Sequence, residues 1–189
     1  DIAIIRALPN ISIFSPADEL EAILGVKELY KQKKPAYIRI GKKEEPKIYD
    51  RSYALRIGKG NLLLEGSDII IFSTGTIITE VLKAAELLRN KHIKATIINI
   101  HTIKPLDKEL IVQEARFKKR AFVVEEHGKI GGLGSAIAES VCDEKDFPQL
   151  TLIGTQDKFI KDIGSQDYLR RITGLSSDKI ASTIIKKLT

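Results

Sequence analysis

Glu125, Glu126 and His127 stand side by side at the end of an apolar run in VVEEHGKIGGLGSAIAE, residues 123–139. Two carboxylates beside an imidazole are groups that move protons or bind metal, and spacing decides what they can do together. Neighbours on a strand point to opposite faces, so Glu125 and Glu126 do not make a general acid/base pair. A metal reading fails as well, because the chain has three histidines, scattered, with no H-x-x-x-H spacing. The glycines that follow, Gly131, Gly132 and Gly134, are what a strand needs to turn tightly into a helix, since glycine accepts positive φ and lets backbones approach closely. This turn, Gly131 to Ser135, and a second at Thr74 to Thr76 each bring a strand to a helix N-terminus. Free amides there can hold an anion, or the turns serve packing alone, which is the preferred reading.

Arg39, in PAYIRIGKK (residues 35–43), offers a planar fork of donors suited to phosphate oxygens, with Lys42 as a helper. The plainer alternative is a strand-edge arginine in a surface salt bridge. His101 stands alone beside a strand end and reads as a hydrogen-bonded structural group. Cys142 is the single cysteine; it rules out an intrachain disulfide and reads as a buried, inert thiol in a helix.

The elements that must position these groups follow from periodicity. Residues 11–15 read as a short strand, Asp18 as the cap of a helix reaching Gln32, and AYIRIG as a second strand. Residues 42–54 carry charge and Pro46 without a steady period, as a linker does. From there strand and helix alternate: strands at 68–74, 95–100, 121–126 and 150–155, and helices at 77–90, 107–117 (capped by Asp107), 134–142 and 177–188. Continuous Ile/Val strands between amphipathic helices mean a mainly parallel sheet covered on both faces, a three-layer α/β domain. The organisation expected is residues 1–45 as a truncated piece of one α/β domain, 46–54 as linker, and 55–189 as a complete second domain, its sheet separate from the strands of residues 1–40.

A net charge of +6 invites nucleic acid, but Lys and Arg (31) are interspersed with Asp and Glu (25), and no basic stripe with aromatics appears. No apolar run nears the roughly 18 residues that span a bilayer, so neither nucleic acid nor membrane is expected as a partner, and a cytoplasmic location is. The chain contains no methionine and begins abruptly at Asp1, which reads as an internal piece of a longer polypeptide.

Five stretches together resemble the transketolase family of thiamine-diphosphate enzymes: ALPNISIFSPADELEA (7–22), PAYIRIGKK, STGTIITEVLKAA (73–85), INIHTIKPLD (98–107) and the glycine-rich segment above. The resemblance covers the end of the pyrimidine-binding domain and the whole C-terminal domain. It implies a parent enzyme that moves a two-carbon ketol unit between sugar phosphates, with thiamine diphosphate and Mg²⁺ held by an N-terminal domain or subunit and none expected on this piece, which by itself would be inactive. It further implies that Arg39 meets substrate phosphate, and that the chain is a homodimer contacting its partner near Glu125, Glu126, His127, Gly131, Gly132 and Gly134. Within the same architecture, 1-deoxyxylulose-5-phosphate synthase and the beta subunit of a 2-oxoacid dehydrogenase are alternatives. A non-catalytic dimerisation or docking domain is another.

Overall fold

A computed structural model describes residues 1–41 and 46–188. A short helix α1 (Ile2–Arg6) leads to strand β1 (Ser12–Phe14), helix α2 (Glu19–Gln32) and strand β2 (Ala36–Ile38). Strands β3 (Asn61–Leu64) and β4 (Ile69–Thr74) follow, then α3 (Ile78–Arg89), β5 (Ala95–Asn99), β6 (Thr102–Lys104) and α4 (Lys108–Ala115). The chain ends with β7 (Arg120–Gly128), α5 (Leu133–Val141), β8 (Leu150–Thr155), α6 (Gln166–Ile172) and α7 (Ser177–Leu188).

The large sheet has the order β3-β5-β4-β7-β8, parallel throughout except for the edge strand β3. Side-chain alternation along β4 explains its two covered faces. Ile69 and Ile71 pack with Val81 and Leu88 of α3 and Ile180 and Ile184 of α7, while Ile70 and Phe72 pack with Ile111 of α4 and Leu133 and Ile137 of α5. All six residues of β4 and all five of β5 are buried, which is why these strands read as unbroken apolar runs. Asp18 and Asp107 cap α2 and α4 as expected, accepting from the amides of Glu21 and Leu110.

A second, small sheet has the order β2-β1-β6. β1 and β2 run parallel, as two strands of a separate sheet, but β1 also pairs antiparallel with β6. The TIKPLD segment, read as a strand exit, thus contributes a strand of its own to the sheet of the first forty residues. Three short elements escaped the sequence reading, and each for a physical reason. β3 is an edge strand with Leu62 and Leu64 exposed, so it shows no polar alternation; α1 and α6 have five and seven residues, too few for a helical stripe. Cys142 corrects an expectation: it lies on the surface just past α5, with its thiol donating to the Glu139 carbonyl.

The first forty residues also enter the large cores, Ile2 and Ile13 on one face of the sheet and Ala17 on the other. Phe14 fills a third cluster with Leu29 and Leu55 and lies directly over Gly25 of α2. A methyl group at position 25 would enter the fully buried Phe14 ring. Gly25→Ala gains about 1 kcal/mol of helix propensity, yet overpacking an immobile ring costs more. The expected outcome is a net loss of about 1–3 kcal/mol in urea unfolding.

Candidate functional site

The strand order sets where a ligand crevice can lie. From β4 the chain crosses through α3 to β5 on one side, and then through α4 to β7 on the other, so the winding reverses between β4 and β7. In doubly wound sheets the carboxyl ends at such a reversal diverge and leave a crevice. Here those ends are Thr74 to Thr76 and Glu125 to His127, and β2 lies across them. The result is a polar cleft of about 390 Å³ lined by Tyr37, Arg39, Gly41, Thr76, Glu126 and Gln166, among others.

Arg39 spans this cleft. Its Nε donates to Asp1 Oδ2 at 2.9 Å and its Nη2 to the Glu126 carbonyl at 3.0 Å. The Asp1 carboxylate gathers further partners: the Tyr37 hydroxyl at 3.1 Å and His127 Nε2 at 3.3 Å. Burial is the main cause that holds the His127 imidazole below its ordinary range. Arg39, just past β2, thus pairs with Asp1 and ties the end of β2 to β7 through the Glu126 carbonyl, and a phosphate meeting it would compete with Asp1. Lys42 lies outside the described residues.

Glu125 and Glu126 do diverge. Glu126 faces α6, where Arg170 Nη2 donates to it at 2.7 Å and also to Thr76 Oγ1. Glu125 turns the other way and is 1% exposed. Its two oxygens accept the amides of Leu133 and Gly134 at 2.8 and 2.9 Å. The anion that the glycine turn was suited to hold is therefore the protein's own carboxylate. Burial raises its pKa, and the two amides pull it back. The glycines serve this packing: a methyl group at Gly132 would enter the Glu125 carboxylate, one at Gly134 would come within 2.7 Å of Leu152, and Gly131 has φ +73° against Ala3. Glu125, Gly132 and Gly134 are buried inside the chain, whereas Glu126, His127 and Gly131 are half-buried.

His101 is fully buried beneath Phe14, edge to face at 5.4 Å, with Nδ1 paired to Thr102 Oγ1 at 2.8 Å. Desolvation pushes its pKa down to about 4. Neutral and away from the cleft lining, it is a structural group. Asp1, Tyr37, Gln166 and Arg170 belong to the cleft although no motif marked them; only proximity to Arg39 in sequence could have drawn attention to Tyr37.

A five-stranded doubly wound sheet joined to a three-stranded sheet defines the class, an α/β fold with two sheets. The family profile described as "Transketolase, C-terminal domain" matches residues 58–180. The chain belongs to the transketolase family. Over its whole length it is 35% identical to a Methanocaldococcus jannaschii protein named for the transketolase C-terminal section, and covers 59% of that protein. It is 37% identical over 189 residues to a 1-deoxy-D-xylulose-5-phosphate synthase from Caldanaerobacter subterraneus, covering 30% of it. A solved structure described as a split gene transketolase, inactive beta4 tetramer, matches 98% of this chain with a TM-score of 0.91 at 32% identity, and the match covers 60% of that protein. The chain therefore spans between about a third and three fifths of the length of the relatives it matches.

The α5 turn does not fit the thiamine diphosphate that this family implies, because the amides of Leu133 and Gly134 are already taken by Glu125. At the β4 turn, Gly75 packs closely against Ser15. Among the described residues no group of three His, Cys, Asp or Glu is placed to hold a metal ion, and no helix is long and apolar enough to cross a membrane. Removing the Glu125 carboxylate strands two buried amides. Glu125→Ala is expected to cost about 2–3 kcal/mol in thermal unfolding, with Glu125→Gln, which keeps one acceptor, costing less.

Proposed function

We propose that this chain is the C-terminal part of a transketolase-like transferase, and that the parent moves a two-carbon ketol unit from a ketose phosphate to an aldose. In this reading residues 1–45 end a pyrimidine-binding domain, 46–54 link, and 55–189 form the C-terminal domain. Thiamine diphosphate, bound elsewhere in the parent with Mg²⁺, supplies the carbon–carbon bond chemistry, and the isolated chain is inactive. The observation that carries the proposal is the family match over residues 58–180, joined to a polar cleft with Arg39 at the winding reversal. The relative named 1-deoxy-D-xylulose-5-phosphate synthase, at 37% identity, favours that enzyme as the second reading.

What this chain's own residues would do is position and neutralise. Arg39 would meet the substrate phosphate once Asp1 yields, and Glu126 and Arg170 would fix the cleft wall opposite. In the parent enzyme assembled with its N-terminal partner, Arg39→Ala is expected to raise KM for a ketose phosphate about tenfold to a hundredfold, the loss of one charge-assisted phosphate contact. KM for the unphosphorylated ketose should stay put. Equal changes for both sugars would show Arg39 to be a structural pin and end its phosphate role.

Self-association belongs to the same reading. The glycine-rich crossover would present Glu126, His127 and Gly131 to a second copy, with the buried Glu125, Gly132 and Gly134 shaping the loop from beneath. Light scattering at micromolar concentration is expected to give twice the 21.1 kDa chain mass, that of a homodimer. A strictly monomeric chain would remove the interface role.

A further inference from the structure

Glu21 of α2 is fully buried and takes no part in the cleft. Its carboxylate accepts the Ala17 amide at 2.6 Å, the Tyr53 hydroxyl at 2.9 Å and Asn99 Nδ2 at 3.0 and 3.1 Å. These partners come from the turn before α2, from the segment between β2 and β3, and from β5. The same segment is fastened by Asp18, whose Oδ2 accepts the amides of Ile48 and Tyr49 at 2.8 and 2.9 Å. Tyr49 and Tyr53 stack at 3.9 Å, the Tyr49 hydroxyl accepts from Asn99, and Asn61 of β3 donates to Tyr53. Residues 48–53 thus close over a buried carboxylate and tie α2 to the edge of the large sheet.

Every partner of Glu21 is neutral. The titratable groups facing it among the described residues are Asp18 from its own helix cap and Tyr49 and Tyr53 from the connecting segment. β5 and β3 offer only the amides of Asn99 and Asn61. No lysine or arginine among the described residues pairs with it. Moreover, Asn99 Nδ2 is shared between both Glu21 oxygens and the Tyr49 hydroxyl, and Asn99 Oδ1 is buried without a hydrogen-bond partner. One added proton on Glu21 removes an uncompensated buried charge.

We propose that Glu21 is a proton-operated clasp: with a proton bound, the 48–53 segment is closed onto α2 and the sheet edge, and losing that proton loosens it. The balance of forces agrees. Burial, the largest influence, raises the Glu21 pKa from 4.5 to about 7 against the lowering by its three hydrogen-bond partners. When the segment opens, the carboxyl meets water and returns to its ordinary range. Closing therefore takes up a proton; it is most favourable below pH 4.5 and weakens as pH rises, until the loss is complete above about 7. His101 works the other way. Its depressed pKa makes global stability rise with pH between about 4 and 6.5, so a global unfolding curve mixes two opposite slopes and a local readout is needed.

Hydrogen exchange at the Ile48 and Tyr49 amides of the full chain, corrected for the intrinsic pH dependence of exchange, gives that readout. The opening constant is expected to rise up to about tenfold per pH unit between pH 5 and 7, and to be flat in Glu21→Gln. A flat wild-type profile, or the same slope in the Gln variant, overturns the clasp. Should Glu21→Gln fail to fold, carboxyl-carbon NMR of the wild-type chain decides by itself: Glu21 titrating near neutrality supports the proposal, and titration in the ordinary carboxylate range overturns it.

Discussion

The step from β5 to β6 is the constraint on which the rest of this structure depends. Between Asn99 and Thr102 the chain leaves the large sheet and joins the small one. Ile100 still donates to Ser73 of β4 at 2.7 Å, and the next carbonyl, His101, already accepts the amide of Ser15 at 2.8 Å. Two sheets that share consecutive residues cannot slide past one another without breaking buried hydrogen bonds, which are costly to leave unmade. His101 is buried and neutral because it sits in this seam. β2, two strands removed from β6, is thereby carried across the carboxyl ends of β4 and β7, and Arg39 reaches the crevice as a consequence.

The glycine turn illustrates how a feature that signals ligand binding can be satisfied from within. A helix N-terminus offers amides and a partial positive charge, and glycines keep it open. In this chain the preceding strand supplies the occupant eight residues earlier, as Glu125. The adjacent Glu126 then has to point the other way, toward Arg170. The alternation rule that excluded an acid/base pair also explains why one carboxylate builds the turn while the other walls the cleft.

Local chemistry was legible in the sequence where cause and effect lie within a few residues. The caps at Asp18 and Asp107, the buried strands β4, β5 and β7, and the glycine turn all answer to nearest-neighbour rules. Long-range pairings were not. Nothing near Asn99 announces that its amide meets Glu21, 78 positions earlier, and nothing in the three residues of β6 separates a strand from a turn before proline. Asp1 carries no motif, yet its carboxylate gathers Arg39, Tyr37 and His127. The family resemblance pointed to Arg39, which lies one residue past β2, but could not show that its guanidinium is already engaged.

That engagement shapes what the cleft can bind. Among the described residues, Arg39 and Arg170 pair with Asp1 and Glu126, two cations against two carboxylates. A phosphate bound as proposed would meet one of these cations by exchange with its carboxylate. The two pairs differ in how readily they exchange. Arg170 is 3% exposed in its side chain, and separating it from Glu126 would remove a close carboxylate partner from a buried guanidinium. The Arg39–Asp1 pair is about a third exposed on both sides, where such contacts are worth roughly 1 kcal/mol or less. In the proposed reading, a doubly charged phosphate with several acceptor oxygens would compete for Arg39 against a single partly solvated carboxylate at that cost. Of the two charge pairs, Arg170–Glu126 is thus the more firmly held, and Arg39–Asp1 is the one that exchange could open.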